Sequence, residues 1–175
     1  MIMLKLLGAL LIISASTTFG FYQASRYVQR TKQIRQLIHA LKRLETDIQY
    51  GLTPLPDAFI KLSETMAEPL STIFNSMGSQ LSQQQREQSL QEMWRDVLDQ
   101  HWIHTSLKQA EKDILIQFGS LLGMSDALDQ QRHFELVINR LELEEKAAKE
   151  DQTRYESMWK SLGTLLGILL VILMV

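Results

Sequence analysis

The last third of the chain, residues 125–175, constrains the fold most. Between Met124 and Gly163 there is neither proline nor glycine, and apolar residues recur at Leu128, Phe134, Val137, Ile138, Leu141, Ala148, Tyr155 and Met158. These spacings, mostly steps of three and four or their sum of seven, predict one long amphipathic helix. Gly123 is placed to stop the preceding helix, and Ser125 or Asp126 to cap this one. From Trp159 the polar face vanishes, and no charge follows Lys160. At about 1.5 Å per residue the element spans roughly 75 Å, of which about 25 Å is apolar enough for lipid.

The other end mirrors it. An apolar run from Leu6 to Tyr22 follows Lys5, near the lower length limit for a bilayer span. A cleavable signal peptide with Ser14-Ala15-Ser16 as its small-residue site is the alternative. The apolar run continues past that site through Phe19 and Phe21, which favours a retained anchor. Arg26, Arg30, Lys32, Arg35, Lys42 and Arg43 then follow with no acid before Glu45, so the positive-inside rule places the middle of the chain in the cytoplasm and both termini outward. The predicted domains are an N-terminal transmembrane helix over 1–22, a cytoplasmic helical bundle over 23–158 and a C-terminal transmembrane helix over 159–175.

Between the spans the pattern is all-α. The first soluble helix, residues 23–50, carries Ile34, Leu37, Leu41, Leu44 and Ile48 and ends at Gly51. Paired antiparallel with the last helix, it brings Arg30, Lys32 and Arg35 near Asp151, Glu150, Glu145 and Glu144, a basic helix against an acidic one. Thr53-Pro54 opens a helix with Phe59, Leu62 and Met66. Glu68-Pro69 opens another with Leu70, Ile73, Phe74 and Met77, predicted to close at Gly78. Residues 82–100 carry Leu90, Met93, Trp94, Val97 and Leu98, and residues 105–122 carry Leu107, Ile114, Leu115, Phe118, Leu121 and Leu122. The expected fold is a six-helix bundle whose two long stalk helices continue into the N- and C-terminal transmembrane helices.

Composition narrows the chemistry. A net charge of −2 supplies no basic excess for phosphates, which argues against nucleic-acid binding. With no cysteine, disulfides and thiolate metal sites are excluded. His101 and His104 stand near Asp99 at a helix break without a third ligand and read as surface residues, as do His39 and His133. No phosphate loop or nucleophile elbow is present. No catalytic, cofactor-binding or metal site is therefore predicted, and the chain reads as non-enzymatic. Gly163 and Gly167 have the spacing that lets membrane helices approach closely, and Ser16 and Gly20 supply a counterpart in the first span. Trp159 and Lys160 read as interfacial anchors. The segment 45–51 sits where the first soluble helix meets the remaining helices, so Glu45, Asp47 and Tyr50 form a candidate docking surface for a cytoplasmic partner. In the bland alternative Tyr50 packs, Gly51 caps and the acids line a wet face.

A family resemblance is carried by several segments together. Gln33-Ile34-Arg35-Gln36-Leu37, Leu44-Glu45-Thr46-Asp47-Ile48, Tyr50-Gly51, Thr53-Pro54-Leu55, Phe118-Gly119, Leu122-Gly123, Asp126 and Met158-Trp159 before a Gly-rich apolar tail resemble the stage III sporulation protein AB family. The resemblance spans nearly the whole chain and is weakest over residues 80–100. It implies a component of the secretion-like channel complex between mother cell and forespore, integral to the mother-cell membrane surrounding the forespore. Its cytoplasmic domain would be similar to the F domain of type II secretion and type IV pilus platform proteins. Those carry two such domains and a third span, whereas this chain has room for one domain between two spans. The implied partners are a secretion-type hexameric ATPase, stage III sporulation protein AA, other membrane components of the complex and the lipid bilayer, with a homo-oligomer as a way to supply a second domain. Two other readings are a membrane-tethered helical signal transducer and an exported, tail-anchored helical domain left after signal cleavage.

Overall fold

The computed structural model describes residues 2–49, 53–83, 88–122 and 127–174. It is all-α: α1 (Ile2–Gln49), α2 (Leu55–Thr65), α3 (Leu70–Gln83), α4 (Leu90–His101), a 3₁₀ turn (Trp102–His104), α5 (Gln109–Leu121) and α6 (Ala127–Met174). No strand occurs among the described residues. The expected stops and caps at Gly51, Gly123, Ser125 and Asp126, and Tyr50 itself, lie outside the described residues. The chain divides into two compact units, one made of Met1–Thr31 with Ala147–Val175, the other of Lys32–Lys146.

The unit built from 32–146 is held by a conventional apolar core. In α1, the residues Ile34, Leu37, Leu41 and Leu44 are buried, and in α6 so are Phe134, Val137, Ile138 and Leu141. These are the periodic positions of the two long helices. The centre is aromatic. Phe59 of α2, Phe74 of α3 and Trp94 of α4 have ring centroids 5.7–5.9 Å apart. Trp94 continues to Phe118 of α5 at 6.2 Å, and Phe118 to Phe134 of α6 at 5.2 Å. Five helices thus each contribute one ring to a continuous cluster of tilted and edge-on pairs, the geometry aromatic quadrupoles prefer. Trp94 is fully buried, and its Nε1–H donates to the Leu115 carbonyl at 2.6 Å, so the indole's polar edge is satisfied.

Two glycines allow this packing. A Cβ on Gly119 would run into the Trp94 ring, so the indole lies against bare α5 backbone. Gly78, expected to end α3, lies inside it. Its Cβ would come within 2.7 Å of Ile60 Cγ1 and 2.9 Å of the Pro56 carbonyl of α2. The glycine is there for close helix approach rather than for a left-handed turn.

Other boundaries also move. Ser82 belongs to α3, not to the start of the next helix. That helix, α4, begins at Leu90 behind a capping box in which the Glu92 N–H donates to Ser89 Oγ and the Ser89 N–H donates to Glu92 Oε2. The N-cap of α2 is Pro54, with Pro56 in the first turn. Helix α5 starts at Gln109 rather than near Thr105, because residues 102–108 are used as a connection. The Ser106 N–H donates to the side-chain oxygen of the buried Gln33 at 2.8 Å, which ties that connection to α1.

The unit built from 1–31 and 147–175 has the opposite pattern. Leu7, Leu10, Leu11, Phe19, Phe21 and Tyr22 of α1 are exposed, as are Leu162, Leu165, Leu166 and Leu169 of α6. Besides Arg30 and Thr31, what lies inside is small: Ala24 and Gly20 on α1, Ala148, Gly163 and Gly167 on α6. Both long helices are long and apolar enough to cross a membrane, and such a helix pair shows lipid its bulky side chains and its partner its small ones.

Candidate functional site

The structure brings Ser16, Gly20, Gly163 and Gly167 together. A Cβ on Gly20 would lie 2.7 Å from the Trp159 carbonyl oxygen and 2.9 Å from Gly163 Cα; a Cβ on Gly163 would lie 2.9 Å from Gly20 Cα and from the Ser16 carbonyl oxygen. A Cβ on Gly167 would come within 3.1 Å of Ile13 Cα. Backbone therefore meets backbone, and any larger residue at 20 or 163 separates the helices. Ser16 Oγ donates to the Gly163 carbonyl at 2.6 Å, satisfying a hydroxyl that would otherwise meet an apolar medium.

Polar contacts flank this crossing. Tyr27 and Tyr155 stack at 5.4 Å, and Arg30 Nη1 donates to Asp151 Oδ2 at 3.2 Å. Lys160 pairs with Glu156 at 2.7 Å and sits over the Phe21 ring at 5.6 Å. An ammonium over an aromatic ring beside a long apolar run is the arrangement a membrane interface would favour, with the stem against apolar surface and the charge at its edge.

At the other end of α1 the acidic candidates are placed differently from one another. The Asp47 carboxylate faces Arg43 on its own helix at 3.8 Å, and its carbonyl accepts from the Thr53 N–H. Glu45 is half-buried. Burial raises its carboxyl above the ordinary value of 4.5, the nearby Glu135 carboxylate raises it further, and Lys42 partly opposes both. Glu45 therefore borders α6 as well as the surface. Cross-helix ion pairs continue along the same face: Lys42 to Glu142 at 2.8 Å and Arg35 to Glu145 at 2.7 Å. The basic-on-acidic antiparallel register read from the sequence is present in these contacts.

No group of three or more His, Asp or Glu side chains suited to a metal occurs among the described residues. His101 Nε2 lies 3.3 Å from Ser76 Oγ, while His104 is exposed at the end of the 3₁₀ turn. Sequence reasoning missed the roles of Gln33, Gly78 and Gly119. The run Gln33-Ile34-Arg35-Gln36-Leu37 contained a signal, since a glutamine on a helix face otherwise occupied by Ile34, Leu37 and Leu41 needs a partner.

Comparisons with known proteins agree with one another. A family profile described as stage III sporulation protein AB matches residues 5–175. The chain is 42% identical over 172 residues to stage III sporulation protein AB of Bacillus subtilis (strain 168), covering 98% of this chain and 99% of that protein. A solved structure titled stage III sporulation protein AB superposes with a TM-score of 0.68 at 38% identity, covering 72% of this chain and 98% of the solved one.

Proposed function

Because this chain belongs to the stage III sporulation protein AB family, we propose that it is a non-enzymatic membrane platform of a secretion-like channel complex between mother cell and forespore. Helices over 1–22 and 159–175 would hold it in the mother-cell membrane, with residues 23–158 in the cytoplasm. The observation that carries this reading is the reversal along α1 and α6. Apart from Ile103, Leu136 and Leu143, the large apolar side chains on the periodic faces of residues 32–146 are buried, whereas residues 1–31 and 147–175 expose theirs around glycine contacts, as a change of solvent from water to lipid requires. Ser16, Gly20, Gly163 and Gly167 would close the hairpin within the bilayer.

The platform would receive a hexameric secretion-type ATPase, stage III sporulation protein AA, near Glu45, Asp47 and Tyr50. Nucleotide hydrolysis by that partner would be the energy source. Two assays test this. In intact protoplasts, residues 23–158 should be protected from added protease, and crosslinkers placed near residue 47 should capture the ATPase. An exposed segment overturns the orientation and excludes a cytoplasmic ATPase as direct partner. The double reversal Glu45→Lys with Asp47→Lys should abolish ATPase capture while leaving the unfolding transition in place; undiminished capture removes these residues from the proposal.

A further inference from the structure

Two leucines of the water-facing unit lie on the wrong side of their helix. Leu136 and Leu143 of α6 are 57% and 63% exposed, although Phe134, Val137, Ile138 and Leu141 around them are buried. They are seven residues apart, one heptad. With Leu136 and Leu143 at the first heptad position, Asn139 and Lys146 fall at the fourth, Arg140 at the fifth and Glu135 at the seventh. Each of these is exposed. The solvent face of α6 over 135–146 thus carries one apolar residue per heptad, with polar Asn139 and charged Lys146 at the fourth positions and the core-facing residues in the remaining ones.

The charges on its flanks are complementary. In a parallel coiled coil the seventh position of one heptad meets the fifth position of the next heptad on the other helix, five residues later. Here that pair is Glu135 with Arg140 of a second copy, and by symmetry Arg140 with Glu135. Arg140 donates to the Gln117 side-chain oxygen of α5, a bond between exposed groups that it can exchange for a carboxylate. Within the chain the Glu135 carboxylate repels that of Glu45, so a cation from another copy relieves a repulsion within this one.

We infer that this face of α6 pairs in parallel with the same face of a second copy of the chain, Leu136 against Leu136 and Leu143 against Leu143. The direction rests on the membrane reading above: two copies inserted in one bilayer through the same end of α6 run the same way, which an antiparallel pairing cannot satisfy. Two leucines per copy fall far short of the roughly 1,200 Å² that a stable solution interface buries. Confinement and alignment in the bilayer supply the effective concentration that the small seam lacks.

The chain contains no cysteine, so single-cysteine variants report directly. In membranes holding the full chain, Leu136→Cys and Leu143→Cys should each form disulfide-linked dimers under mild oxidation, roughly tenfold more than the exposed α5 control Asp113→Cys. Within the Leu136→Cys background, Glu135→Arg or Arg140→Glu should lower the yield, and the two together should restore it. Equal yields at all three cysteines, or a product only between Leu136→Cys and Leu143→Cys chains, overturns the pairing. Alkaline carbonate extraction of the same membranes separates the two ideas. A chain that stays in the pellet without dimers sinks the pairing alone, and a chain released to the supernatant sinks the membrane reading and the shared direction with it.

Discussion

The same two helices pack in opposite ways in the two units. In the unit of residues 32–146, α1 and α6 turn Ile34, Leu37, Phe134 and Leu141 inward, and the stabilising contacts are between side chains. In the unit of residues 1–31 and 147–175 they turn leucines and phenylalanines outward and touch through Gly20 and Gly163 backbone. Water drives the first arrangement by expelling apolar surface. The second is the arrangement a bilayer would favour, since lipid offers no such drive and leaves close van der Waals approach and hydrogen bonds such as Ser16 to Gly163 to hold a helix pair. Deleting side-chain volume should therefore harm one unit, and adding it should harm the other.

Trp94→Ala is the strongest test of that contrast. It empties the middle of the aromatic cluster and removes the partner of the Leu115 carbonyl, and should cost about 3–5 kcal/mol in the unfolding of the 32–146 unit. The expected loss is read by near-UV circular dichroism of the full chain in detergent. Spin-label distances between the exposed residues 11 and 170 should stay unchanged.

Gly163→Leu is the reciprocal experiment. Its side chain would meet the Gly20 Cα and the Ser16 carbonyl, both backbone atoms that cannot rotate away, so the upper part of the roughly 1–3 kcal/mol range for overpacking applies. The 11-to-170 distance should lengthen while the near-UV signal of the aromatic cluster persists. A loss of both signals would mean that the two units do not fail independently.

Gly119→Ala blurs the contrast deliberately, since it overfills a glycine contact that already lies inside the 32–146 unit. The added methyl meets the Trp94 ring, and a cost of about 1–3 kcal/mol is expected in denaturant titrations. Combining it with Trp94→Phe should give a double-mutant coupling, because the smaller ring vacates the space. Strictly additive effects would show that the ring and the glycine do not compete.

The smallest effect is electrostatic. Burial and Glu135 raise the Glu45 carboxyl above its ordinary value of 4.5, so the folded chain holds that proton more tightly than the unfolded chain. Stability from this group is present below the ordinary value and declines as pH rises through the window between the ordinary and the raised value. Glu45→Gln should therefore flatten the pH dependence above 4.5 and slightly raise the melting temperature at neutral pH. A steeper decline in the variant would contradict the assignment. Glu92 runs the other way, because hydrogen bonds from the Ser89 N–H and hydroxyl lower its carboxyl. Its contribution is lost as pH falls, which makes the α4 cap the acid-sensitive partner of the comparison.

What the amino-acid sequence determined by itself was local and periodic. The long helices, the apolar stripes of α2 to α5, the two lipid-compatible ends and the basic-on-acidic register of Arg30 with Asp151 and Arg35 with Glu145 follow from spacing and charge, because a helix fixes which residues share a face. Tertiary structure alone decided what each face meets. Gly78 reads as a stop and is a point of contact with α2; Gly119, which its spacing gives no role, is the floor under Trp94. Gln33 holds Ser106 across 73 residues of sequence, and Glu45, one acid among several along the chain, borders Glu135. A glycine's sequence neighbours are the same whether it frees the backbone or admits another helix, and only the approach of the second element separates the two roles.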